Sequence, residues 1–272
     1  MTALFGRVVE VIVGDAAFTD LRVSFRAERA IRPSPSPAEI RVYNLDPTRR
    51  NAAVQAATKQ GVRVRLQAGY KTVGLAQIFD GDVRTARIEK QGPDVVLVLS
   101  GSDGLLKLRQ RAKARSFASE TQVADVLRRV VSDSGLGPGN LEAAIRAIGN
   151  KTIGDGGLAL SGDVSTALST ATGSAGLQWS VQDGQLVILG SNEARSGQAV
   201  KLSPETGLIG LPSEDAKQEL RATSLLNPDL LPGRLLVLDS PELSGNYRIE
   251  GVTYDGDTHG QNWYAQVRGK RL

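Results

Sequence analysis

Apolar and polar residues alternate with a period of two through much of the first hundred positions. Leu21, Val23 and Phe25 alternate with Arg22, Ser24 and Arg26, the signature of a strand with one buried face. Val62, Val64, Leu66 and Ala68 alternate with Arg63, Arg65 and Gln67 in the same way. Val95 to Leu99 is an unbroken apolar run, which predicts a strand buried on both faces. Pro33-Ser-Pro-Ser-Pro37 predicts an extended loop, because three prolines cannot sit in a central ladder. One helix interrupts this β pattern. Asp46 is its expected N-cap, Pro47 suits the first helical position, and Gly61 is expected to close it after Lys59.

The period changes in the middle of the chain. Ser119-Glu-Thr-Gln122 has the spacing of a capping box, and Val123, Val126, Leu127, Val130 and Val131 then form one apolar helical face ending at Gly135. A second amphipathic helix runs through Leu141, Ala144, Ile145 and Ile148. A third opens on Asp163 and carries Val164, Ala167, Leu168 and Ala171. Leu177 to Val181 and Leu186 to Leu189 flank Asp183-Gly184, a two-residue hairpin turn with Trp179 expected in the core.

Strands return in the last eighty residues, at Leu235–Leu238, Tyr247–Tyr254 and Trp263–Val267, with turns expected at Pro241, Gly245 and Asp255-Gly256. A faint repeat links the two ends. Asn44 to Pro47, then Gly61-Val-Arg-Val-Arg-Leu66, then Gly81 to Ile88 parallel Asn227-Pro228, Gly233-Arg-Leu-Leu-Val-Leu238 and Gly245 to Val252. The expected fold is α+β and mainly β: two related barrel-like domains, residues 1–105 and 193–272, flanking a small α+β insert, 106–192. Asn44, Pro47, Asn227, Pro228, Gly233 and Gly245 are the expected structural turns.

Composition narrows the chemistry. With 272 residues, 40% of them hydrophobic and 23% charged, the chain is expected to bury a sizeable core. No apolar run approaches the roughly 20 residues of a membrane span, so no membrane insertion is expected. Met1 to Arg7 lack a basic segment followed by an apolar one, so no Sec leader is expected. The absence of cysteine removes disulfides, thiolate metal sites and cysteine nucleophiles. The net charge of +4 clusters once, in Lys107 to Arg115, without the interleaved aromatics that stack nucleic-acid bases; a solvated connector is favoured.

Catalytic patterns are missing. The single histidine, His259, lies in Asp255-Gly-Asp-Thr-His-Gly260, which opens like a calcium loop but has Gln266 at the twelfth position, where a glutamate is required. A hairpin tip is favoured. Gly135 to Gly139 follows a helix and lacks the Gly-Lys-Ser/Thr ending of a phosphate loop. Neither a nucleophile elbow nor an identifiable carboxylate dyad is present. No enzyme activity, cofactor or metal is expected.

The succession Ser203 to Gly210, Ser224-Leu-Leu-Asn-Pro-Asp-Leu-Leu-Pro-Gly233, Leu235 to Ser240, Leu243 to Ile249, Tyr254 to Gly260 and Trp263 resembles the end of phage tail and baseplate hub proteins. Ala38-Glu-Ile-Arg-Val-Tyr-Asn-Leu45 is similar to that family's first-barrel strand, and Val164 to Ile188 to its insert. The resemblance implies a structural homotrimer in the virion, assembled in the host cytoplasm. Its implied partners are the tail tube protein, the central spike protein and other baseplate proteins, with DNA passing through the bore. It offers no catalytic residues. Two other readings stand beside it: a small carbohydrate-binding or carbohydrate-processing tail protein, and the hub-like part of a type VI secretion spike.

Overall fold

The strand-forming alternation at the two ends of the chain meets in a single sheet. In the computed structural model, which describes residues 6–272, the first segment supplies β1 (Arg7–Val13), β2 (Ala16–Phe18), β3 (Val23–Ala30), β4 (Ser36–Tyr43), α1 (Pro47–Ala57), β5 (Arg63–Tyr70), β6 (Gly74–Gln91) and β7 (Asp94–Asp103). The middle supplies α2 (Leu105–Leu108), β8 (Arg115–Phe117), α3 (Val123–Ser134), α4 (Leu141–Ile148), β9 (Leu158–Leu160), α5 (Val164–Ala175), β10 (Leu177–Gln182) and β11 (Gln185–Gly190). The last segment supplies β12 (Val200–Leu202), β13 (Leu208–Glu214), β14 (Glu219–Leu225), β15 (Leu235–Asp239), β16 (Ser244–Asp257) and β17 (Trp263–Arg271). Residues 6–30, 36–102 and 195–272 form one compact unit, and 31–35 with 103–194 form the other. The expectation of no leader falls mostly on residues 1–5, outside the described residues.

In the first unit the strand order is β13-β14-β17-β16-β3-β4-β7-β6-β5-β1-β2, with β15 alongside β16 and β12 alongside β15. The expected barrels are corrected here: the sheet is open, and neither segment closes on itself. β3 pairs with β16 of the other segment instead, through seven residue pairs from Gly251↔Ala30 to Asp257↔Ser24. One hydrophobic core takes side chains from both segments, among them Leu66, Phe79, Leu97, Leu236, Tyr254 and Trp263, each at most 2% exposed. Burying each large apolar side chain contributes about 1.5–3 kcal/mol. Val95 to Leu99 behaves as the unbroken run predicts: Leu97 and Leu99 face that core, while Val96 and Val98 pack with Tyr43 on the other face.

Strand order recurs within this unit. The first segment runs β3-β4-β7-β6-β5-β1, and the second β13-β14-β17-β16-β15-β12. The copies differ at their last pair, since β1 is antiparallel to β5 whereas β12 is parallel to β15.

The second unit packs α3, α4 and α5 with the β10–β11 hairpin around Leu127, Leu168, Trp179 and Ile188. Asp183 and Gly184 both have positive φ, and their amides donate to the Asp103 carboxylate, which fastens the turn. The capping box does not form. Gln122 precedes α3 without a side-chain cap, because residues 119–120 form a turn, with Glu120 at φ +63°, and the chain is held against 152–153 by Glu120 N–H donating to Ile153 O and Ile153 N–H to Thr121 O.

Three turn expectations move. α1 ends at Ala57 with Thr58 as C-cap, so Gly61 turns the chain into β5 rather than closing the helix. Pro37 lies inside β4, one residue before the β3 register begins at Ala38, so it blocks none of those pairs. Gly256 lies within β16, and the hairpin tip falls at residues 258–262 instead.

Candidate assembly surface

Backbone register shows how closely the two segments correspond. Gly61 has φ +83° and Gly233 has φ +88°, and two residues beyond each the short strand joins the long one, at Arg63↔Asp82 and Leu235↔Arg248. Val83 N–H donates to Val62 O at 2.8 Å, and Ile249 N–H donates to Arg234 O at 3.0 Å. A one-residue bulge follows in both long strands, between Val83 and Thr85 and between Ile249 and Gly251. Asn44 N–H donates to Val95 O, matched by Leu226 N–H to Trp263 O. This register makes Thr85 the counterpart of Gly251 and Gly81 the counterpart of Tyr247. The pairing of Gly81 with Gly245 suggested by the sequence is therefore displaced by two residues.

The β3–β16 junction is built from this frame. Phe25 pairs with Gly256, and its ring meets Trp263 edge-on at 5.7 Å between centroids. Arg22 donates to Asp257 at 2.9 Å, and Arg26 reaches Asp255 at 3.4 Å. Arg7 from β1 lies 5.3 Å over the Trp263 ring and donates to the carbonyls of Asp257 and Gly260. Asp257 also accepts the amides of His259 and Gly260, closing the tip of the hairpin. Burial pushes the Asp257 carboxyl up, but the Arg22 hydrogen bond and these amides outweigh it and hold it below the usual range. A polar groove of about 360 Å³ runs along the seam, lined in part by Arg26, Arg41, Tyr43 and Asp255.

Of the expected turn residues, Asn44, Pro47, Asn227, Pro228 and Gly233 lie at connections between elements, whereas Gly245 lies within β16. Asn44 adopts φ +53°, donates to Asp94 and accepts from Val95 N–H, so it ties the end of β4 to the start of β7. Pro47 is the first residue of α1, behind Asp46, whose carboxylate accepts from Thr48 and Arg49. Asn227 accepts from Asp229 N–H, forming an Asx turn around Pro228. Gly233 donates to Ile249 O at 2.7 Å and accepts from Arg195 N–H at 2.7 Å. Gly245 is the second residue of β16 and pairs with Leu238, so its expected turn is a strand position, where a Cβ would fall 2.6 Å from Arg271 Nη1. The register unites Gly233 and Gly245 with the β15–β16 ladder, while the others are spread over separate turns.

A further cluster escaped sequence reasoning. Tyr247 donates to Glu214, and Arg271 binds both the Glu214 carboxylate and the Tyr247 hydroxyl. The trio joins β13 to β16 and β17. Burial, reinforced by the Glu214 hydrogen bond, pushes the Tyr247 phenol up to about 12. No local motif marks these residues, because their association depends on the sheet.

The edges of the sheet carry exposed apolar groups. Three of the six most exposed large apolar side chains among the described residues lie there: Ile209 and Leu211 in β13, and Ile88 in β6. The basic run disperses within the second unit, where Lys113 and Arg115 bind Asp133 at 3.0 and 2.8 Å. Among the described residues, no three His, Asp or Glu side chains are grouped to hold a metal, and no helix is long and apolar enough to cross a membrane. The arrangement offers hydrogen-bonding edges, apolar contacts and mixed charge.

The profile of the baseplate hub gp41 family matches residues 8–269. No curated protein matches the chain. Among solved structures, a tail protein from Neisseria meningitidis MC58 is similar over 98% of this chain and 97% of its own, at 12% identity and a TM-score of 0.68. The 43 kDa tail protein of prophage MuSo2 from Shewanella oneidensis aligns over 98% of both chains at 10% identity and a TM-score of 0.64. The E. coli c3393 protein, a type VI secretion component, aligns over 96% of this chain and 76% of its own at 11% identity and a TM-score of 0.61. At these identities the likeness is one of fold.

Proposed function

The chain belongs to the baseplate hub gp41 family, and from that premise we propose that three copies form a ring joining a sixfold tail tube to a threefold central spike. Membership makes it a baseplate hub protein of the phage virion tail. The observation that carries the finer reading is the doubled strand order, β3-β4-β7-β6-β5-β1 and β13-β14-β17-β16-β15-β12. A chain with two related segments presents six of them when three copies assemble, while keeping threefold symmetry. These are the two related tube-like segments, each an open sheet until neighbours extend it.

The role is structural, with no catalytic step. Its partners are a second and third copy, the tail tube protein, the central spike protein and other baseplate proteins, with DNA passing along the bore during ejection. Three chains of 28.9 kDa make about 87 kDa. Light scattering on concentrated protein, alone and mixed with the tube and spike proteins, is expected to give that mass and a joint complex with both. A stable monomer under every condition, or failure to bind either partner, overturns the reading.

A further inference from the structure

Among the described residues, two of the sheet's open edges are the halves of a junction that the chain completes elsewhere. β13 ends the strand path and, among the described residues, pairs with β14 alone. On the β5 side of β6 the ladder stops at Arg63↔Asp82, so residues 85–91 have β7 on one side and, among the described residues, no strand on the other. In the second segment the counterpart of residues 85–91 is 251–257, the stretch that β3 covers. The counterpart of β3 in the second segment is β13. Its Leu208↔Ser224 pair matches Val23↔Val42, since Leu225 N–H donates to Gly207 O as Tyr43 N–H does to Arg22 O. The chain thus holds one complete junction, β3 on β16, and the two unpaired halves of its equivalent.

We propose that β13 of one copy pairs antiparallel with residues 85–91 of β6 in a neighbouring copy, in the register that β3 and β16 display within the chain. This rests on the ring reading above and names the surfaces that would close it. Carrying the β3–β16 register across places Ile209 opposite Gln91, Ser213 opposite Glu89, Glu214 opposite Ile88, and Asp215 opposite Arg87. Gly210 to Pro212 bulge where β3 has Phe25 alone, so they face Lys90.

Three features favour a second copy as the occupant. The exposed Ile209, Leu211 and Ile88 lie on these two edges. The charges are complementary: Asp215 on one side, Arg84, Arg87 and Lys90 on the other with only Glu89 against them, while Glu214 is already neutralised by Arg271. The two edges also differ, so the contact is head-to-tail and each copy uses both, as ring closure requires. The bulge and Pro212 remove regular pairing at the centre of β13, which disfavours other strands and leaves the flanking pairs to define the register.

Because the chain has no cysteine, the register is open to a direct test. The double variant E89C/S213C, and independently Q91C/I209C, is oxidised at high concentration and run on a non-reducing gel beside light scattering of the unoxidised protein. Melting curves establish that each variant is folded. The expected result is a covalent ladder ending at three chains for both designs, absent in the single variants and in E89C/D215C, which is two residues out of register. A three-chain mass with folded variants that form no disulfide overturns the edge pairing while leaving the ring reading intact. A ladder that stops at two chains or runs past three upholds the edge pairing and removes the ring of three. Folded monomers without crosslinks, even beside the tube and spike proteins, overturn both.

Discussion

The ring of Phe25 lies against the backbone of Gly256, its partner across β3 and β16, and a Cβ on that glycine would fall 2.4 Å from Phe25 Cζ. The glycine is there for close approach, not for a turn. Gly256→Ala is therefore expected to destabilise the protein by about 1–3 kcal/mol, the usual cost of overpacking a filled core. Denaturant titration measures this. Because the clash is with the ring itself, Phe25→Leu combined with Gly256→Ala is expected to cost less than the sum of the two single changes. Strict additivity would refute the contact.

Gly233→Val is expected to lower stability by about 2 kcal/mol, since φ +88° is a region that β-branched residues avoid. Gly233→Asn, which tolerates left-handed backbone better, is expected to lose less. Equal losses, read from chemical melts, would mean that the Ile249 and Arg195 hydrogen bonds depend on something other than this backbone angle.

Alkaline pH is expected to weaken the fold through Tyr247. Its phenol is raised from 10.0 to about 12, so the folded state keeps its proton where the unfolded chain loses it. The stabilisation is fully present below pH 10 and is lost as pH rises through about 12. Tyr70, pushed up mainly by burial, acts in the same direction, so Tyr247→Phe is expected to flatten the alkaline loss in part. An unchanged stability profile in that variant between pH 9 and 12 would show that the Glu214–Tyr247–Arg271 cluster contributes nothing to it.

Chelators and reducing agents are expected to leave the melting temperature where it is. The chain has no cysteine, and the Asp255–Gly260 segment leading into the hairpin tip spends its Asp257 carboxylate on Arg22 and on two backbone amides. A melting point that drops in EDTA and returns with one specific cation would reveal a metal at this tip.

Elements whose signal is local were legible in the residues alone. The period-two alternation around Val64 and Leu66, the Asp46-Pro47 helix start, the Asp163 cap and the Asp183-Gly184 hairpin each depend on neighbours within a few positions, and each forms. The order of motifs from Ser203 to Trp263 carried the family resemblance, because turn residues and strand lengths are written consecutively. Partner choice was decided elsewhere. Nothing near Phe25 indicates that it pairs with Gly256, some 230 positions away, or that Glu214 meets Tyr247 and Arg271. The same period-two pattern fits a closed barrel or an open sheet. Which one forms depends on whether β16 and β3 satisfy each other's backbone hydrogen bonds, a choice between distant edges that the tertiary structure makes through the shared core around Trp263.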